Sequence, residues 1–340
     1  MKVSWERLEV ETAHPFRISR SVRTGETVVW LRLELDGIEA WGEANPSPYY
    51  GESVDTVERA LLSMRTRLED VHDPFALEAI EHDLRAIAPG DGSAHAAISA
   101  ALHDWVGKRL GQPLWRLFGL DPAAAPLSSF TIGIDEPEVM AAKVREASDY
   151  QTLKIKVGTG DDEPMLRAVR DAAPEKSLRV DANAAWTPAE ALEGIAMLVD
   201  FGVEFVEQPV SPEDRDGLAH VHAHSELPII VDESCLRSSD IPGLVGRTDG
   251  INIKLAKCGG PREALRMIHT ARASGLKVML GCMLETTLGI AASAHISPLV
   301  DYADLDGAAL LKDDPFQGPH LEAGRIVLGE EPGLGVTVRA

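Results

Sequence analysis

Three carboxylates, Asp181, Glu207 and Asp232, are separated by 26 and 25 residues, and each lies at the end of a short apolar run. Consecutive β/α units would carry such distant acids to one rim, where their hard oxygens suit Mg²⁺, with water and substrate oxygens completing an octahedral shell. Asn183, Gln208 and Glu233 stand beside them and could orient the ligands. A single acid of this kind would read as a solvated loop residue or a helix cap. Lysine is scarce, ten against 23 arginines, yet Lys154 and Lys156 share one apolar run and Lys254 and Lys257 fall in another. On an extended strand 154 and 156 face the same side, whereas 254 and 257 need not, and periodicity does not choose between them. A lysine whose proton affinity is tuned can exchange a proton with carbon, which arginine cannot. Two lysines reaching a pocket from opposite sides, with Mg²⁺ on a substrate carboxylate, would allow proton removal beside that carboxylate and return of a proton to the other face. The alternative is a structural ring of ion pairs.

These side chains need strands to place them. Apolar segments recur near Ser128–Ile134, Thr152–Gly158, Leu178–Asn183, Val203–Pro209, Pro228–Ser234, Gly250–Ala256, Val278–Met283 and Asp301–Gly307. Helical stretches such as Glu163–Ala172 and Pro261–Ser274 separate them, so the repeat is βα and a closed β/α barrel outranks an open sheet. Ahead of the barrel, alternation over Val3–Glu11, Thr27–Glu34 and Ile38–Glu43, with a turn at Asp36–Gly37, predicts a small antiparallel sheet. Helices are predicted over Val54–Leu68, Pro74–Leu84 and Ala94–Arg109. Residues 1–120 thus read as an α+β domain and 121–310 as the barrel, while the Pro- and Gly-punctuated segment 311–340 could return to the first domain.

Composition removes several classes. With 33 Lys plus Arg against 54 Asp plus Glu, the formal charge of −21 argues against nucleic-acid binding. No apolar run reaches the roughly 18 residues of a membrane span, and Met1–Trp5 does not resemble a secretory leader, so a cytoplasmic protein is expected. Three cysteines are too few and too separated for a disulfide framework. His220, His222 and His224 could offer nitrogens to zinc, but they fall late in a helix where surface histidine is the favoured reading. Gly158–Thr159–Gly160 lacks the third glycine of a dinucleotide fingerprint and runs into Asp161–Asp162. A homo-oligomer is compatible with the sequence, which fixes no subunit number.

Five fragments taken together, Thr152–Gly158 (TLKIKVG), Val180–Asn183 (VDAN), Glu207–Pro209 (EQP), Val231–Ser234 (VDES) and Ile253–Gly260 (IKLAKCGG), make the chain resemble the enolase superfamily over nearly its whole length. The resemblance is to its muconate-lactonizing and dipeptide-epimerase branch, most of all to the L-Ala-D/L-Glu epimerases. It implies a modified (β/α)7β TIM-like barrel with an N-terminal α+β capping domain. It also implies Mg²⁺ held by Asp181, Glu207 and Asp232, acid/base roles for Lys156 and Lys254, and a substrate carboxylate held by Lys154. By the resemblance Glu233 would support this network, and Asn183 keeps the orienting role that its place beside Asp181 suggests.

By the same resemblance Asp304 and Asp306, in the Asp304–Leu305–Asp306 sequence at the eighth strand end, would receive a dipeptide's α-ammonium, for which two carboxylates are suited. Arg23 matches the position that holds a distal glutamate carboxylate, although Arg17 or Arg20 could serve instead. The activity implied is Mg²⁺-dependent interconversion of L-Ala-L-Glu and L-Ala-D-Glu through an enediolate. An N-acylamino-acid racemase, an o-succinylbenzoate synthase-like enzyme and a muconate cycloisomerase are alternatives on the same fold, and a non-catalytic metal-binding interaction protein is one of another class.

Overall fold

Alternation along the first 44 residues builds one antiparallel sheet in the computed structural model, which describes residues 1–339. Its strands are β1 (Lys2–Ile18), β2 (Ser21–Leu35) and β3 (Ile38–Ala44). Both arms of the first hairpin run further than the alternation suggests. Pairing slips between Glu11 and Phe16 and then resumes at Phe16–Arg23, so a two-stranded arm projects beyond the sheet. Such a slip bends and twists a ribbon, which here turns the arm toward the barrel.

Three helices cover the sheet: α1 (Val54–Glu69), α2 (Leu77–Ile87) and α3 (Gly92–Leu110). Ser53 and Thr56 form a reciprocal capping box at the start of α1. Helix α2 begins three residues later than predicted, because Pro74 belongs to the preceding turn. Helix α3 is buried throughout Gly92–Val106, wedged between the cap sheet and the barrel. Small residues make that position accessible: a Cβ on Gly42 would stand 2.0 Å from the Ala97 carbonyl oxygen.

After a short α4 (Leu114–Leu117), eight parallel strands follow: β4 (Phe130–Ile132), β5 (Thr152–Lys156), β6 (Ser177–Asp181), β7 (Val203–Glu207), β8 (Ile229–Val231), β9 (Gly250–Ile253), β10 (Lys277–Gly281) and β11 (Tyr302–Asp304). They pair in chain order, and the Ser129 amide reaches the Ala303 carbonyl at 3.0 Å to bring the two edges together. The result is a nearly closed barrel. Its strands are almost wholly buried, as expected where helices cover a parallel sheet. The crossovers carry α5 (Pro137–Glu146), α6 (Asp162–Ala172), α7 (Pro188–Asp200), α8 (Arg215–His224), α9 (Leu255–Cys258), α10 (Pro261–Ala273) and α11 (Thr287–Ile296). The unit after β8 departs from the expected repeat, with only the 3-10 turn Ser238–Gly243.

The chain then leaves the barrel and runs back over the cap. The Leu114 amide donates to the Gly333 carbonyl at 3.1 Å, and Asp104 on α3 accepts the Leu334 amide at 2.8 Å. Phe316 packs edge-on against Trp30, which meets Trp41 in the same way. At the other side of the cap, the Lys312 amide reaches the Glu11 carbonyl at 2.8 Å.

Candidate active site

The carboxyl-terminal ends of the strands converge beneath the hairpin arm. Lys154 and Lys156 lie two apart on β5 and both face the barrel interior, lining one pocket with Asn183, Asp232, Lys254, Asp304 and Asp306. The Lys154 ammonium stands 2.7 Å from Glu207, 2.8 Å from Asp304 and 3.2 Å from Asp181. Lys156 reaches Asp181 at 2.6 Å, and Lys254 reaches Asp232 at 2.8 Å from the opposite side.

The chain turns out of strand geometry after Ile253, a residue run expected to stay extended, and Leu255–Cys258 coils into α9. Lys254 therefore remains at the rim, whereas Lys257 is drawn below it. Lys257 pairs with the Asp232 carboxylate and donates to the carbonyls of Asp232, Asn252 and Cys235 at 2.7, 3.0 and 3.2 Å. These bonds take up its donors, and the residue does not line the pocket.

Strained backbone follows directly on two of the acids. Asn183 and Gln208, just after β6 and β7, have φ of 48° and 36°. Left-handed geometry is tolerable for asparagine and costly for glutamine. The strain is held by hydrogen bonds: Asn183 N–H donates to Asp181 at 2.8 Å, and the Gln208 side-chain oxygen accepts the amides of Asp232 and Ser234 at 2.9 and 3.1 Å. From the cap, Arg20 donates to Glu233 at 2.8 Å and to the Asn183 carbonyl at 2.6 Å, with its guanidinium over the Tyr49 ring. Arg23 lines the pocket and is paired with Glu26. Arg17 does not line it.

The electrostatics follow from burial set against close cations. Burial opposes the charged forms of Asp181 and Asp232, but Lys156 and Lys154 at the first, and Lys254 and Lys257 at the second, outweigh it and hold both below the usual carboxylate range. Glu207 goes the other way, pushed up to about 7 by burial and by Asp181. Asp306 is likewise pushed up to about 7 by burial and Asp304, whereas Lys154 holds Asp304 low against its own burial.

Among the described residues, no three metal-binding side chains already stand as a coordination cluster. The Lys154 ammonium instead lies among the acids, and Asp232 is turned to its two lysines. The residues nevertheless fit a hard divalent cation. Glu233 Oε2, Asn183 Oδ1 and Asn252 Oδ1 are buried acceptors without a hydrogen-bond partner among the described residues, and Glu207 Oε2 meets only the Lys154 ammonium. A surplus of buried oxygens is the environment in which a cation is favourable.

Four polar residues at this rim were not singled out from sequence. Ser129 donates to Asp304 and the Thr131 amide to Asp306, both at 2.6 Å. Asn252 donates to Glu207 at 2.8 Å, and stepping back two residues from Lys254 along the strand would have found it. Glu285, pushed up to about 7 by burial, carries no periodic signal. The histidine group lies elsewhere: His220 and His224 stack on each other, and His222 faces Asp249 at 3.4 Å. The Asp162 carboxylate accepts the amides of Gly158 and Thr159, so an acid occupies the turn that would cradle a phosphate.

Fold and rim together define a capped β/α-barrel enzyme. A family model described as "Mandelate racemase / muconate lactonizing enzyme, N-terminal domain" matches residues 2–119, and "Enolase C-terminal domain-like" matches 138–340. An L-Ala-D/L-Glu epimerase of Bacteroides thetaiotaomicron is 40% identical, covering 99% of this chain and 88% of its own. A hydrophobic dipeptide epimerase of Roseobacter litoralis is 38% identical over 98% of each. The crystal structure of a dipeptide epimerase from Enterococcus faecalis V583, complexed with Mg and the dipeptide L-Leu-L-Tyr, matches with a TM-score of 0.94 at 36% identity and 98% coverage of each chain. The chain belongs to the enolase superfamily, in its mandelate racemase/muconate-lactonizing branch.

Proposed function

We propose that this isomerase acts at the α-carbon of the C-terminal residue of a dipeptide, with Asp181, Glu207 and Asp232 holding Mg²⁺. The observation that carries the reading is the approach of Lys156 on β5 and Lys254 after β9, four strands apart, to one pocket that Asp304 and Asp306 also line. When bound, Mg²⁺ would supply positive charge beside the substrate carboxylate and ease loss of the adjacent proton. Lys154 turns its ammonium to the same carboxylate. Lys156 or Lys254 takes the α-proton, depending on the starting stereoisomer, and the other delivers one to the opposite face. Asp304 and Asp306 hold the free amino end, while Asn183 and Glu233 keep the rim in register. Residues 1–120 form the cap that closes the site, residues 121–310 carry the chemistry, and 311–340 fasten one to the other.

The substrate's second side chain points to the cap. Arg23 favours glutamate, giving interconversion of L-Ala-L-Glu and L-Ala-D-Glu, and the relative from Bacteroides thetaiotaomicron supports it. A second reading, an apolar residue, is favoured by the pairing of Arg23 with Glu26 and by Ile18, Met283 and Leu284 in the pocket wall. A dipeptide library in deuterium oxide with Mg²⁺, followed by NMR and mass spectrometry, decides. Exchange and inversion at the C-terminal α-carbon are expected. Activity confined to N-acylated amino acids would sink the dipeptide assignment.

A further inference from the structure

A second cavity of about 190 Å³ lies beside the main pocket, between the hairpin arm, β4 and α5. Phe130 and Tyr150, with ring centres 4.6 Å apart, contribute one wall, and Ala147 is buried in another. Charges at its edge are already paired, His14 with Glu146 and Lys143 with Asp135, each at 3.0 Å. The remaining lining is largely apolar, so the space suits a hydrocarbon group rather than an ion. A cavity of about 150 Å³ is enough to take benzene.

The partition between this cavity and the main pocket consists of Phe16, Thr131 and Leu310, which line both. Thr131 is tied to the site, because its amide donates to Asp306 at 2.6 Å. Burial and then the nearby Asp306 charge push the Tyr150 phenol up, so this acid is felt on the cavity side as well. In an α-amino acid the side chain leaves from the same carbon as the ammonium. With the ammonium fixed by Asp304 and Asp306, the first residue's side chain starts at this partition. Phe16 and Leu310 are only half-buried, so a change of rotamer can open it.

Resting on the dipeptide-epimerase reading, we infer that this cavity is the subsite for a large apolar side chain on the substrate's N-terminal residue. The inference keeps the dipeptide reading but not alanine as its preferred first residue: dipeptides that begin with leucine or phenylalanine are turned over faster than those that begin with glycine or alanine, L-Ala-Glu among them.

The test holds the C-terminal residue constant and measures kcat/KM by α-proton exchange for Gly-, L-Ala-, L-Leu- and L-Phe- dipeptides on the Mg²⁺-loaded enzyme. A rise of at least about tenfold from Gly to Phe is expected. Ala13 and Ala309 are exposed and line this cavity but not the main pocket, so Ala309→Trp and Ala13→Trp fill it from the solvent side. Either variant should remove the advantage of Leu and Phe while leaving the L-Ala rate intact, which also shows that it is folded. A flat preference in the wild type with L-Ala turnover retained, or parallel losses on every substrate in both variants, overturns the inference and leaves the dipeptide reading standing. Absence of exchange with every dipeptide overturns both.

Discussion

The two lysine pairs make an instructive contrast. On β5 the strand continues through both residues, so a spacing of two delivers Lys154 and Lys156 to one pocket. Around β9 the strand stops at Ile253, and the next turn is helical. Lys254 keeps the rim, while Lys257 becomes a peg for three carbonyls and a carboxylate. Gly92 at the start of α3 approaches the Lys257 backbone so closely that a Cβ would stand 2.4 Å from its carbonyl oxygen. Lysines that look alike in sequence therefore have different work, set by where the strand ends rather than by their spacing.

The largest effect should come from the opposed pair. Lys156→Ala and Lys254→Ala should each lower epimerisation by about 10²–10⁴-fold, while each retains exchange of the stereoisomer that presents its proton to the surviving lysine. Loss of that selectivity, read by NMR in deuterium oxide, would break the opposite-face assignment. Lys257→Met should instead cost on the order of 3–5 kcal/mol, because it strips a cation from a buried ion pair and a donor from three carbonyls. Its urea midpoint should fall well below that of Lys254→Met; equal midpoints would erase the distinction.

A third test uses groups outside both pairs. Burial pushes His103 and His295 down to about 4, so between pH 6.5 and 4 the unfolded chain binds more protons than the folded one. Their contribution, up to about 3 kcal/mol each, is present above pH 6.5 and lost as pH falls through that window. His103→Gln should flatten the acid limb of a stability profile, and an unchanged slope would refute this. The smallest effect is at the cap: Arg23→Gln should lower kcat/KM about tenfold for glutamate-containing dipeptides alone. A uniform loss across side chains would remove Arg23 from the specificity wall.

Much of this architecture is written in short-range patterns. Apolar runs locate all eight barrel strands, and the acids at their ends locate the rim, because a strand's period and a barrel's polarity leave few placements. The fate of Lys257 is not written there, since it depends on carbonyls of Asn252 and Cys235 that meet only after folding. The hairpin arm was equally hidden: His14, Pro15 and Arg17 break the apolar alternation, yet pairing resumes through Phe16–Arg23. Glu285 is silent for a related reason, as its burial is made by neighbours brought together from cap and barrel.

The returning tail has a mechanical meaning. Because Phe316, Leu334 and Lys312 grip the cap at separate points, the cap is buckled to the barrel and has no lone linker about which to swing. The ribbon beyond the Glu11–Phe16 slip, which carries Phe16, Arg20 and Arg23, is fastened separately, by Arg20 on Glu233 and by the Ile134 amide on the Arg17 carbonyl. Under the proposed function, the residues that would read the substrate therefore sit on a wall moored at both edges, one to the strand ends and one to the cap sheet, rather than on a free-standing flap.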